Sequence, residues 1–184
     1  SGLKKIIMPD STILLSIVVP VVNPERNLKD LFISLRSIKR DEVELILVNQ
    51  SGYKLNDDFR RIVQFKMRDH LTQCCLPASG ARNLGASLAR GKYLFFLDDD
   101  AMLYSGADNF GRLWDARSSS SAPDVMIAQR GEVRDGEFVS HWPKGAKKIT
   151  FANFPRIAIE WNVIIKKDIF IKLGGFPEIG NGYN

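Results

Sequence analysis

The first hundred residues repeat one alternation: a short β-branched or apolar run, a polar loop, then apolar side chains at helical spacing. Ser16-Ile-Val-Val19 is the first run, closed by Pro20, and Leu28, Leu31, Phe32, Leu35 and Ile38 follow on one helical face. Val43-Glu-Leu-Ile-Leu-Val48 predicts a second strand that ends in the polar turn 49–52. Asn56 is placed to cap a short helix leading to a third strand around Ile62 to Phe65. The segment from Gly80 to Ala89 predicts a helix stopped by Gly91, and Tyr93-Leu-Phe-Phe-Leu97 a fourth strand. Strands joined by helices lie parallel, because the helix carries the chain back across one face of the sheet. The predicted class is therefore α/β, an open and mostly parallel sheet flanked by helices. Ligands of such sheets gather at the carboxyl ends of the strands.

The second half is less regular. A helix is expected over Asp108 to Arg117 with Phe110, Leu113 and Trp114 inward, and Asp135-Gly136 predicts a hairpin turn between Val133 and Phe138. Ile157 to Ile165 reads as a further strand, and Lys167 to Leu173 as a short helix ended by Gly174-Gly175. At 184 residues the chain has the size of one domain able to bury a self-sufficient core.

Charge and composition narrow the function classes. The 26 Lys and Arg against 21 Asp and Glu give +5, but the basic residues stand in scattered pairs such as Lys4-Lys5, Arg60-Arg61, Lys147-Lys148 and Lys166-Lys167. No basic stripe with interleaved aromatics emerges, so no nucleic acid is expected, and the pairs read as solvated surface. The modest surplus suits an anionic small ligand or peripheral contact with an anionic membrane surface. The longest apolar stretch, Ile13 to Val22, is interrupted by Ser16 and Pro20 and is shorter than the ~20 residues of a membrane-spanning helix. No transmembrane segment and no secretion signal are read here, and a cytoplasmic location, extending to the inner face of the membrane, is expected. Cys74 and Cys75 are adjacent and form no disulfide framework. His70 and His141 lack ligand partners at useful spacing.

Leu97-Asp98-Asp99-Asp100-Ala101 carries the chemistry. Three clustered carboxylates repel and raise one another's pKa unless a cation neutralises them, which makes the triplet a candidate site for Mn²⁺ or Mg²⁺. If the strand continued through it, Asp98 and Asp100 would share one face and Asp99 the other. A solvated turn that merely ends a strand explains a bare triplet equally well; its position at the ligand-binding edge favours function. Upstream, Arg82 stands near a helix start, able to neutralise a phosphate or to steady the acidic cluster. As a lone feature it would be an ordinary surface arginine.

Five segments in order, Ser16-Ile-Val-Val-Pro-Val-Val-Asn23, Glu44-Leu-Ile-Leu-Val-Asn-Gln-Ser51, Ala81-Arg-Asn-Leu-Gly85, Tyr93 to Asp100 and Leu173-Gly-Gly-Phe-Pro-Glu178, resemble the family 2 glycosyltransferases of GT-A fold. The resemblance spans residues 16 to 178. It implies a Rossmann-like GT-A domain, with about 11–104 as the nucleotide-sugar-binding half and about 105–184 as the acceptor-side half. It implies an inverting, metal-dependent transfer from a nucleoside-diphosphate sugar to a hydroxyl of a saccharide or lipid-linked acceptor, in bacterial surface polysaccharide or glycolipid synthesis. Carried over by position, Pro20, Val22 and Asn23 match the first-strand loop that holds the donor nucleoside, and Asn49 stands where the family has a base-contacting Asp. Arg82 matches the arginine beside the nucleotide. Asp98 to Asp100 match the acidic DxD-type signature, with Asp98 and Asp99 toward ribose or diphosphate and Asp100, together with Asp98, toward the metal.

Asn49 and Gln50 depart from the acidic pair of the family, and an amide accepts a base N–H more weakly than a carboxylate does. The family's catalytic acid lies past the Gly-Gly-Phe motif, and the sequence ends at Asn184 without one, so a piece of a longer chain is expected and the catalytic residue stays unassigned. Glu160 and Glu178 are the nearest carboxylates. A catalytically incomplete nucleotide-sugar-binding module and a nucleotidyltransferase of similar fold are the alternatives, though no Gly-rich loop with a Lys or Arg follows the first strand. A haloacid-dehalogenase-type phosphatase would need a Thr two residues past its second Asp, where this chain has no such residue. Trp114, Trp142 and Trp161 could stack on a sugar ring, but Trp114 on a helical stripe reads as core.

Overall fold

A computed structural model describes residues 12–24, 28–38, 40–63, 65–72, 75–103, 110–116, 122–128, 131–135, 137–140 and 163–177. The strands are β1 (Leu15–Val21), β2 (Val43–Asn49), β3 (Lys66–Leu71), β4 (Tyr93–Phe96), β5 (Val125–Ile127), β6 (Gly131–Arg134), β7 (Glu137–Ser140) and β8 (Val163–Lys166). The helices are α1 (Leu28–Leu35), α2 (Asp57–Ile62), α3 (Ala78–Leu88), α4 (Gly111–Ala116) and α5 (Lys167–Lys172). Six strands form one sheet in the order β3-β2-β1-β4-β8-β5, and β6 pairs with β7 apart from it. β1 to β4 run parallel, while β8 is antiparallel to both β4 and β5. The expected open, mostly parallel α/β sheet is what forms.

The central strands are apolar throughout because both faces are covered. Leu15, Ile17, Val19 and Val21 of β1 pack with Leu28, Leu31, Phe32 and Leu35 of α1, whereas Val18 faces Ala81 and Ala86 of α3. Successive side chains of a strand point to opposite faces, so a strand between two helical layers has no polar side to offer. Each fully buried Leu, Ile or Phe contributes about 1.5–3 kcal/mol, which makes this double layer the main source of stability. Phe110, Leu113 and Trp114 join the α1 side, as expected of them.

β1 does not close at Pro20. Val18 C=O accepts from Leu97 N–H and Val21 C=O from Gln50 N–H, so even positions of β1 face β4 and odd ones face β2. Pro20 therefore turns its missing donor toward β4, beyond the last paired register of Val18 with Phe96, where no ladder bond is lost. The third strand is Lys66–Leu71 rather than Ile62 to Phe65; Ile62 ends α2 instead. Among the described residues β3 pairs only with β2, and an edge strand tolerates charged side chains, which hides it from a search for apolar runs. The hairpin turn does fall between Arg134 and Glu137, with Asp135 at φ 51°.

The Asn56 side chain accepts from Asp58 N–H at 3.2 Å, the cap foreseen for α2. Asn56→Ala is expected to cost ~1 kcal/mol, a fall in Tm of about 2–4 °C in a thermal melt.

Candidate active site at the carboxyl edge of the sheet

From β1 the chain moves outward through β2 and β3, then returns to the opposite side of β1 for β4. This reversal of direction is a topological switch point, and open α/β sheets bind their ligands outside the carboxyl ends of the strands at such a point, here β1 and β4. The loop after β1 and the acidic turn after β4 meet there.

The acidic residues do not prolong β4. The strand ends at Phe96, Leu97 is buried, and Asp98 C=O accepts from Ala101 N–H at 3.1 Å, so the triplet folds into a turn. The alternation of faces considered for a continuing strand does not arise, and each carboxylate has its own surroundings. Asp98 Oδ1 takes the Arg82 Nη2 donor at 2.6 Å, in a pair whose arginine is 9% exposed and whose aspartate is 38% exposed. Burial pushes the Asp99 carboxyl above its ordinary range; the Val22 backbone N–H donated to it works the other way, and the charges of Asp100 and Asp98 add to the rise. Asp100 is exposed. Burial of Asp99 thus outweighs the mutual repulsion that the sequence alone suggests as its main perturbation.

The other sequence-derived residues divide between crevice and support. Val22 and Asn23 are exposed at the end of β1, and the Val22 backbone lies near enough to Asp99 to favour its charged form, which sets that loop beside the acidic turn. Pro20 lies inside β1 and is partly buried. Asn49, the last residue of β2, is fully buried and hydrogen-bonded within the chain. Its Nδ2 donates to Asp69 Oδ1 at 3.0 Å and to Tyr53 C=O at 2.9 Å, while its Oδ1 accepts from Ser51 N–H and Ser51 Oγ. Asp69 Oδ2 also accepts from Leu55 N–H, so this amide and carboxylate together shape the turn after β2. Sequence reading missed Asp69, whose strand it placed elsewhere.

Arg82 is held in α3, and α3 sits hard on the sheet because position 85 is glycine. A Cβ there would lie 2.2 Å from Val18 Cγ1. Beside Arg82, Asn83 reaches the loop that follows α5, a connection the sequence leaves invisible. Its Nδ2 donates to Phe176 C=O and its Oδ1 accepts from Phe176 N–H, both at 2.9 Å. Lys167, counted by sequence among the surface basic pairs, is instead 2% exposed and donates to Ala89 C=O at the end of α3. His141, Trp142, Glu160, Trp161, Glu178 and Cys74 lie outside the described residues. Among the described residues, no three His, Cys, Asp or Glu side chains converge as a metal site, and no helix is long and apolar enough to cross a membrane.

The family model described as glycosyl transferase family 2 matches residues 16–156, more than half of the sequence. The chain belongs to this family. No curated protein sequence matches it. Among solved structures it is similar to S. aureus TarS 1-349 in complex with UDP, with 20% identity and a TM-score of 0.68 over 90% of this chain and 51% of that one. A second is the mannosyltransferase PcManGT from Pyrobaculum calidifontis in complex with GDP-Man and Mn²⁺, at 18% identity and a TM-score of 0.54, covering 92% of this chain and 49% of that one. A third is the 4-diphosphocytidyl-2C-methyl-D-erythritol synthase from Anaerococcus prevotii, at 12% identity and a TM-score of 0.51, covering 93% and 81%. At these identities the likeness shows the fold. The chain spans about half the length of the TarS chain it matches.

Proposed function

We propose that this chain binds a nucleoside-diphosphate sugar in the crevice between β1 and β4, and that the sugar passes, with inversion, to a hydroxyl of a saccharide or lipid-linked acceptor. The observation that carries this reading is the turn 98–101, where one carboxylate is held by Arg82, one lies under a backbone N–H and one is open to solvent. Departure of a nucleoside diphosphate gathers negative charge on its phosphates. Arg82 is a preorganised cation at the edge of that space, and its pairing with Asp98 fixes the guanidinium before any phosphate arrives. Asp99, beside the Val22 backbone, offers a carboxylate oxygen to ribose hydroxyls. Val22 and Asn23 line the donor side, and Asn49 supports the base-facing turn from beneath rather than spending free amide groups on the base.

Mn²⁺ or Mg²⁺ fits this donor set. Both are hard ions that take carboxylate oxygens, and Mg²⁺ is commonly held by one or two carboxylates plus substrate phosphates rather than by an all-protein cage. Asp100 is the open ligand, and Asp98 adjoins it while spending Oδ1 on Arg82. When bound, such an ion supplies Lewis-acid stabilisation of the diphosphate charge. The acceptor proton needs a base, and none of the described residues is assigned that role.

Thermal melts with UDP and with GDP, each with and without Mn²⁺, test the reading. Ligand at 100 times its Kd adds about 2.7 kcal/mol, and at about 2–4 °C per kcal/mol that raises Tm by roughly 5–10 °C. Asp100→Ala is expected to abolish the part that depends on Mn²⁺ while leaving the melt of the free protein nearly unchanged, since the side chain is exposed. No shift with either nucleotide, with or without the ion, overturns the proposal.

A further inference from the structure

Two segments 93 residues apart are joined beside the proposed donor site by a reciprocal pair of hydrogen bonds. Asn83 occupies the position after Arg82 on α3. Its side chain both donates to and accepts from the backbone of Phe176, so it acts toward the loop 174–177 as a neighbouring strand would. The loop is shaped for this contact. Gly174 and Gly175 have φ of 87° and 77°, values that L side chains rarely adopt, and a Cβ at Gly175 would stand 2.7 Å from Asn83 Oδ1. The result is a fixed place for the Phe176 ring. It lies 4.9 Å from Phe96 and 5.3 Å from Phe170 by ring centroids, and the Arg82 guanidinium carbon is 5.9 Å from its centre. Phe96 is the last residue of β4 before the acidic turn.

We propose that Asn83 is a positioning residue: its amide latches the loop 174–177 onto α3 and thereby holds Phe176 against the side of Arg82, fixing that guanidinium toward Asp98. The latch stands on the geometry alone; its consequence for ligand binding rests on the donor reading above. Arg82 is nearly buried and pairs with Asp98 on one side, so a ring on another side limits the rotamers it samples. Loosening the latch would therefore disturb the phosphate-facing cation.

Backbone amide exchange at Phe176, followed in the free protein, tests the latch without any ligand. Asn83→Ala removes both bonds and is expected to speed exchange of that amide by about tenfold while the central strands keep their protection. Asn83→Asp keeps the shape and the acceptor but has no donor at neutral pH, so exchange should rise by a smaller factor. Gly175→Ala attacks the contact from the loop side and should also speed exchange, which covers a failure of Asn83→Ala to fold. Unchanged exchange in these proteins overturns the latch; so does an Asn83→Asp protein indistinguishable from wild type, because filling space would then suffice. In the second arm, the Kd for UDP with Mn²⁺ is expected to rise several-fold in Asn83→Ala and by a smaller factor in Asn83→Asp. An unaltered Kd beside accelerated exchange overturns the effect on Arg82. Should wild type bind neither UDP nor GDP, the donor reading fails while the exchange arm still decides the latch.

Discussion

Glu44→Ala is expected to destabilise the protein by about 3–5 kcal/mol, roughly 6–20 °C in Tm at about 2–4 °C per kcal/mol. Glu44 is 2% exposed at the amino end of the sheet, opposite the proposed site. Its Oε1 accepts from Ser16 Oγ and from Arg90 N–H, both at 2.6 Å, and its Oε2 from Arg68 Nη2 at 2.7 Å. Ser16 Oγ in turn accepts from Gly91 N–H at 2.8 Å, and Arg68 also donates to Leu88 C=O. One carboxylate thus organises β1, β2, β3 and the chain leaving α3. Truncating it strips the buried Ser16 hydroxyl and the part-buried Arg90 N–H and Arg68 guanidinium of their acceptor, and an unmatched buried group costs more than the net worth of the bond it lost. Glu44→Gln retains acceptor and shape but not charge, and should fall between wild type and alanine in a denaturant titration.

The same region sets a pH dependence. Burial pushes the Lys167 amine below its ordinary value, the charge of Glu44 works against that shift, and Arg68 works with it. A lysine with a lowered folded pKa binds fewer protons folded than unfolded between that value and the model value of 10.5. Stability contributed by this group therefore rises with pH across that window. The stability of wild type minus that of Lys167→Met should grow as pH climbs from neutral toward 10.5, and a pH-independent difference would show that the amine titrates as it does in the unfolded chain.

Which features the sequence exposes follows from how local their causes are. β1, β2 and β4 are visible because burial on both faces demands unbroken apolar runs, a property of each segment by itself. The α2 cap and the glycine-ended α5 are equally local, resting on neighbours within a few residues. β3 escapes because an edge strand obeys no such rule: Lys66-Met-Arg-Asp-His-Leu71 owes its conformation to the open side of β2. The acidic triplet announces a site, but the division of labour within it depends on Arg82, 16 residues earlier, and on the backbone of Val22. Lys167 belongs with these, since its burial is set by the end of α3 rather than by its own basic neighbours. The Asn83 contact is the extreme case, with a partner that no periodicity or spacing could point to.

Gly85→Ala should show most directly how packing underlies the site. Alanine is the better helix former by about 1 kcal/mol, so propensity alone predicts a more stable α3. The sheet decides otherwise. The new methyl carbon would lie 2.2 Å from Val18 Cγ1 and 3.1 Å from Val48 Cγ2, and both valines are fully buried between α3 and the opposite helical layer. Val18 is β-branched and its rotamer is fixed by that packing, so α3 must lift from the sheet. Overpacking of this kind costs about 1–3 kcal/mol, occasionally more, enough to cancel the gain in propensity. Because Arg82 and Asn83 ride on the same helix, the lift also draws them from Asp98 and Phe176. The expected result is a lower Tm together with weaker stabilisation by nucleoside diphosphate. Val18→Ala supplies the control: alone it leaves a void and destabilises, whereas in the Gly85→Ala background it makes room for the methyl group. The double variant should then lie well above the sum of the two single losses, a non-additivity expected of groups in direct contact. Strict additivity would place the strain somewhere other than this helix–sheet contact.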